Sequence, residues 1–202
     1  MYVPAHFAMN DQKAIFEFIE QNSFGIVVSC RENVPIATHL PLMLDRLNER
    51  LTGHFARAND QWEEIDGQEV LAIFHGPHHY ISSSWYETNQ SVPTWNYVSV
   101  HVYGTMELVQ DEKELFDDLQ ALINKYEGPG RINDSNMEFV QKLMKAIVGF
   151  RIKINRLEGK WKLSQNHPRE RQLRVIGALE ELKTENAARI AELMRKHVET
   201  VS

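Results

Sequence analysis

The chain has 202 residues, a net charge of −6, nine histidines and one cysteine, which suits one large domain or a domain with a helical appendix. A fold of this size buries about 70% of the surface its unfolded chain exposes, so it needs no disulfide or metal staple, and a lone Cys30 excludes an internal disulfide. There is no basic stretch leading into an apolar core at the N-terminus and no run approaching the roughly 18 apolar residues of a membrane span, so the expected compartment is the cytoplasm.

Asn10 or Asp11 is placed to cap a helix over 11–21, with Ile15, Phe16 and Ile19 on one face. Phe24–Cys30 reads as a buried strand in which Cys30 is a small buried hydrophobe. Glu32-Asn33 punctuates it, and Ile36–Leu44 returns as the second strand of a hairpin before a polar turn at 45–50. A strand near Leu51–Phe55, a short helix around Asp60–Ile65 and strands near 69–75 and 78–85 follow at the short spacing of a barrel or sandwich.

From Trp95 to Gly104 the alternation is clearest, with Trp95, Tyr97, His101 and Tyr103 on one face and Val98, Val100 and Val102 on the other. Helical patterning covers 111–126 and 135–148, on either side of the loop Glu127-Gly128-Pro129-Gly130. Phe150, Ile152 and Ile154 then mark another strand, and 168–198 reads as a helix broken near Lys183-Thr184. Residues 142–174 carry ten basic side chains against Glu158 and Glu170, a net +8 that leaves −14 on the rest. Such a stretch suits phosphate or a solvated basic face, while the acidic remainder repels a DNA backbone.

Gly53-His54-Phe55-Ala56-Arg57-Ala58-Asn59 sets a histidine and an arginine where a strand gives way to a helix start. Backbone N–H groups and a guanidinium fork at such a junction fit a phosphate, and a surface ion pair is the alternative for Arg57. His75-Gly76-Pro77-His78-His79 is histidine-rich, but consecutive histidines point to opposite faces of a strand, so the reading is hydrogen-bonding strand residues around a turn at Gly76-Pro77, with no metal site. The aromatic runs 80–86 and 92–97 suit a planar ring ligand or a subunit interface. Hydrolase, nucleoside-triphosphatase and dinucleotide-binding signatures are missing, as is a helix-turn-helix.

Six blocks together resemble the PaiB family of protease-synthase and sporulation negative regulators, within the FMN-binding split-barrel superfamily. They are Met1–Phe7, Ala37-Thr38-His39-Leu40-Pro41, Gly53–Asn59, Phe74–Tyr86, Val92–Val102 and Gly159-Lys160-Trp161-Lys162-Leu163-Ser164-Gln165-Asn166. The resemblance implies an α+β, mainly β fold: a six-stranded split β-barrel with peripheral helices over 1–167 and a helical C-terminal tail over 168–202 that packs on the barrel or on a dimer partner. It further implies a homodimer holding FMN between subunits. By position, Thr38, His39, Leu40 and Pro41 would line the flavin ring with backbone groups, His54 and Arg57 would approach the phosphate, and Trp95, Asn96 and Tyr97 would flank the ring or the interface. Ser83 stands where the family pattern has proline, and His167 where it commonly has arginine.

The functional expectation from this resemblance is a flavin-binding negative regulator of sporulation and extracellular protease production, acting through flavin or metabolite sensing rather than by direct DNA contact. Two other readings share the fold, an FMN-dependent oxidoreductase and a haem-binding or haem-degrading protein. Nine histidines leave haem ligation open. No residue identifies itself as catalytic.

Overall fold

The computed structural model describes residues 1–200. A 3₁₀ turn at Ala5–Phe7 leads into β1 (Ala8–Met9) and α1 (Gln12–Gln21). That helix starts where the Asp11 carboxylate accepts a hydrogen bond from the Lys13 N–H at 2.9 Å, and it buries Ile15, Phe16, Phe18 and Ile19. β2 (Phe24–Arg31) and β3 (Val34–Pro41) follow, joined by Glu32 and Asn33 at φ 52° and 64°. Two consecutive left-handed residues are what a two-residue hairpin turn needs to match strand twist.

The remaining elements are β4 (Met43–Asp45), β5 (Arg50–Ala56), a 3₁₀ turn at Asp60–Trp62, β6 (Glu69–Ile81), a 3₁₀ turn at Ser83–Tyr86, β7 (Thr94–Leu108), α2 (Glu112–Glu127), α3 (Met137–Met144), β8 (Ile147–Lys162), α4 (Arg169–Glu181) and α5 (Glu185–Thr200). The fold is α+β, with strands in the order β3-β2-β6-β7-β8-β5-β4 and β1 on β8. The ladders of β2 with β3 and β6, of β5 with β4 and β8, and of β1 with β8 are antiparallel. Among the described residues there are eight strands rather than six. The count departs from expectation through two short strands, β1 and β4. β4 is separate because Leu42, wholly buried, turns its N–H to the Ser23 carbonyl at 2.8 Å and interrupts the run from β3.

Other expectations change for local reasons. Gly76-Pro77 is no turn: β6 passes straight through it, and Gly76 is small because a Cβ there would lie 2.6 Å from the Phe18 ring. Cys30 is exposed rather than buried, since β2 alternates Gly25, Val27 and Ser29 inward and Cys30 falls on the outward set. The second helix of the 111–148 region stops at Met144, and the break expected in the 168–198 tail is found where Lys183 adopts φ 52° between α4 and α5.

The chain divides into two compact units. The first comprises Met1–Phe18, His75–Val100 and the chain from Glu158 onward. Its core includes Ile81, Tyr86, Val98, Leu163, Val175, Ile176, Leu179, Ile190 and Met194, and α4 packs against α5 and the Ser83–Tyr86 turn. The second comprises Ile19–Phe74 and His101–Leu157. Val27, Leu42, Leu51, Phe55, Phe74, Val102, Phe150 and Ile152 fill it, with the Phe55 and Phe150 rings 4.7 Å apart. In that unit α2 is capped by Asp111, which accepts from the Glu114 N–H at 2.9 Å, and Arg151 of β8 holds it through Glu114 at 2.6 Å and Asp118 at 3.3 Å. No helix of the described residues is long and apolar enough to cross a membrane.

Gly104 of β7 shows how closely these strands approach: a Cβ there would sit 2.4 Å from the Lys153 carbonyl oxygen and 2.6 Å from the Ile152 side chain. Backbone cannot yield as a side-chain tip does. Gly104→Ala is expected to destabilise the protein by about 1–3 kcal/mol, read as a lower urea midpoint with an unchanged slope.

Candidate functional site

In the second unit the expected ring-lining segment, Thr38–Pro41, lies on β3, paired residue for residue with Val27 to Phe24 of β2. β3 ends the strand order, so among the described residues its far edge has no strand partner. Leu40 is buried, whereas His39 is exposed with its ring 6.2 Å from that of Phe24. The Thr38 hydroxyl accepts from Asn59 Nδ2 at 2.9 Å and donates to Gln61 Oε1. Gln61, itself buried, donates through Nε2 to the Val27 carbonyl at 3.0 Å, Ser29 Oγ at 3.1 Å and the Ile36 carbonyl at 3.2 Å. This hub brings the β2–β3 hairpin onto the segment that follows β5, two residues from Arg57.

Among the described residues Arg57 has no ion-pair partner, but it is not loose. Its Nε donates to the Lys145 carbonyl at 2.8 Å and its Nη2 to the Ile147 carbonyl at 2.9 Å, while its own N–H meets the Ala146 carbonyl at 2.8 Å. One guanidinium thus satisfies the carbonyls where α3 gives way to β8. Among the described residues Nη1 carries no hydrogen bond, and the side chain borders a groove of about 1010 Å³ with Trp62, Phe116, Met137, Lys142 and Lys145. Trp62 fixes that corner by donating Nε1–H to the Arg57 carbonyl at 2.9 Å, its ring 6.0 Å from the guanidinium carbon.

His54 goes elsewhere. It lines a cavity of about 10 Å³ under α2 with Thr52, Leu115, Asp118, Leu119 and Leu122. The structure therefore places His54 and Arg57 in different recesses of one unit. Burial holds the His54 imidazole below the ordinary histidine range and, despite Arg151 beside it, pushes the Asp118 carboxyl above the ordinary carboxylate range.

In the first unit Trp95 is exposed, with His78 and Tyr80 near its ring at 6.0 and 6.1 Å. Tyr97 is half-buried under the Lys160 ammonium at 5.2 Å. Asn96 points inward, fully buried, and donates to Ser164 Oγ at 3.0 Å and Met194 Sδ at 3.4 Å. Tyr86 is also buried, its hydroxyl 2.7 Å from the same Ser164 oxygen. Gln61 and Trp62 escaped sequence reasoning because they sit in a short turn with no periodicity. Their one signal was position, directly after the Gly53–Asn59 block.

Three comparisons bear on this arrangement. Residues 1–156 match the family model described as "Putative FMN-binding domain". The chain is 39% identical over 201 residues to "Protease synthase and sporulation protein PAI 2" of Bacillus subtilis, covering 96% of each. Among solved structures it is similar to the flavocytochrome Anf3 of Azotobacter vinelandii, with a TM-score of 0.62 and 15% identity over 79% of this chain and 72% of that one. It is also similar to the FAD and haem binding protein of Mycobacterium smegmatis, with a TM-score of 0.58 and 14% identity over 77% and 73%. At these identities the two structures speak to fold.

The half-buried His54 sets a pH dependence. A folded-state pKa below the unfolded value of 6.5 means that the unfolded chain binds more protons in the window between them, so stability is complete above pH 6.5 and falls as pH drops through that window. His75 and His167, also lowered chiefly by burial, add in the same direction. Urea unfolding from pH 7.5 to 5.5 is expected to show this loss, and His54→Gln to flatten it. An unchanged slope in that variant would remove His54 from the account.

Proposed function

The chain belongs to the PaiB family of FMN-binding domain proteins, and from that premise we propose that it is an FMN-binding regulator that works as a homodimer. The observation that carries the reading is the family match across 1–156 together with an unpartnered β3 edge joined, through Thr38 and Asn59, to the Arg57 corner. The donor set fits the cofactor. Outward backbone groups of Thr38–Pro41 can pair with the polar edge of the ring, and Arg57 Nη1 with a phosphate oxygen. His54 lines the separate recess under α2 and takes no part in this phosphate contact. Bound FMN supplies a ring that exchanges one or two electrons, and these residues bind and orient it.

The dimer has its own support. Directly opposed residues share a sheet face, so the register Phe24↔Pro41, Ile26↔His39, Val28↔Ala37 and Cys30↔Pro35, continued by Ile26↔Ile73 and Val28↔Leu71, defines one outer surface of β2, β3 and β6. It is largely apolar and partly or wholly exposed throughout, with Phe24 66% accessible. A contiguous apolar surface of this kind calls for a partner. Trp95, Tyr97 and Tyr80 are a second aromatic surface proposed for the interface, while Asn96 supports Trp95 and Tyr97 from the inside.

A role in sporulation and protease production follows the name of the B. subtilis relative. We read the regulation as negative and indirect, through flavin or metabolite sensing in the cytoplasm. Several basic side chains that could meet DNA already serve carboxylates: Lys142 with Glu138 at 2.9 Å, Arg151 with Glu114 at 2.6 Å and Arg174 with Glu170 at 2.5 Å.

Titrating FMN against flavin fluorescence tests the site. Arg57→Ala is expected to cost about 1.5–3 kcal/mol, roughly tenfold to a hundredfold in affinity. Because the same side chain closes the α3–β8 turn, its far-ultraviolet spectrum must match the parent's. Unchanged affinity, or a parent that binds no FMN, would defeat the assignment. For the dimer, sedimentation equilibrium at low micromolar concentration should give twice the chain mass, and Ile26→Glu, which sets a charge in the apolar face, should give monomer. A monomeric parent would count against a shared site.

A further inference from the structure

The basic side chains of residues 142–174 do not all have carboxylate partners. In the first unit, Lys160, Lys162, His167 and Arg171 have none within ion-pair distance among the described residues. The Glu158 carboxylate, two residues before Lys160, is held by the Met1 ammonium, and Glu170, next to Arg171, by Arg174 at 2.5 Å. Yet Lys160 is only 8% accessible, donating to the Tyr2 carbonyl at 3.0 Å and lying 5.7 Å and 5.2 Å from the Tyr2 and Tyr97 rings. Lys162 donates to the Trp95 carbonyl at 2.6 Å and to the Thr94 hydroxyl, 5.7 Å from the Phe7 ring. Cations withdrawn from water without counter-charge are costly, and carbonyls and aromatic faces offset only part of that cost.

The chain is built to gather them. Lys160 and Lys162 are two residues apart on β8, hence on one face and roughly 6.5 Å apart. Ser164, buried at φ 67°, then reverses the path, and its carbonyl accepts the His167 N–H at 3.0 Å. His167 is clamped by stacking on Tyr86 at 4.1 Å and by Gln172 Nε2, which donates to its carbonyl at 2.7 Å. Arg171 sits in the first turn of α4, where the helix dipole adds positive potential. The groups sense one another. Burial and then Lys160 hold Lys162 below the usual lysine range, and burial, then Arg171 and Lys162, hold His167 below the usual histidine range. A left-handed, buried non-glycine residue is retained where the surrounding structure over-determines it, as at ligand clamps.

We propose that Lys160, Lys162, His167 and Arg171 form a binding site for the phosphate group of a small phosphorylated molecule. A phosphate dianion presents several acceptor oxygens and the double charge this cluster lacks, and the guanidinium and ammonium donors suit it. The inference does not rest on flavin binding, because it follows from charges within the first unit alone.

The test is calorimetric titration of the flavin-stripped full chain with inorganic phosphate at low ionic strength. Binding is expected in the parent, weakened at least tenfold in Lys162→Met and in Arg171→Met, and unchanged in the charge-matched Lys196→Met, whose lysine pairs with Glu192 on α5. No binding by the parent, or equal affinity in all four proteins, would overturn the proposal. Two further arms identify the carrier of the phosphate. Loss of the preference for FMN over riboflavin in Lys162→Met would assign the site to the flavin's own phosphate. Undiminished phosphate binding by FMN-saturated parent would assign it to a second phosphorylated ligand. A chain that binds phosphate here but no flavin would leave this site standing while the flavin reading fell.

Discussion

An amide withdrawn from water must find its hydrogen bonds within the protein or lose about 1–3 kcal/mol for each one missing, and in the second unit that constraint converges on Gln61. Its Nε2 meets two carbonyls and a hydroxyl on β2 and β3, and its Oε1 meets Thr38. Because Gln61 lies in a turn and its partners in a hairpin, these bonds form only when β2, β3 and the chain after β5 are all in place. The hub fixes Asn59, hence the corner where Arg57 satisfies the carbonyls at the start of β8. The same arrangement therefore sets both the fold of this unit and the position of the Arg57 guanidinium.

The first unit uses a comparable device. The Ser164 hydroxyl stands between Tyr86 and Asn96, and Asn96 reaches Met194 of α5. Four segments of the chain are tied by small polar groups inside an apolar core, where low polarity strengthens satisfied bonds and penalises broken ones. Here too the buried knot sits beside a chemically suggestive surface: Trp95 and Tyr97 flank Asn96, and Lys162 and His167 flank Ser164. Rigid internal bonding can orient exposed groups without itself touching a ligand.

The outer face of β2, β3 and β6 shows the opposite balance. Its inward partners are buried, but Phe24, Ile26, Val28, Leu71 and Ile73 remain partly or wholly accessible. Alternation along a strand guarantees two faces; whether the second one meets water, a helix or another subunit depends on what is available to cover it. In the proposed dimer a second copy would cover this face.

Periodicity located many of the elements. The Val98–Val100–Val102 face, the α1 stripe, the β2–β3 hairpin and the break at Lys183 were legible because burial selects side chains at fixed spacing within a few residues. The blocks around Thr38, Arg57, Trp95 and Lys160 were legible too, through their resemblance to a family. What tertiary structure alone decided was how those residues are used. Gly76 is small to admit Phe18, Cys30 is outward, His54 lies under α2 apart from Arg57, Asn96 is internal, and Gln61 is a hub. Each of these depends on partners distant in sequence, and local pattern carries no record of which remote side chain a given one will meet.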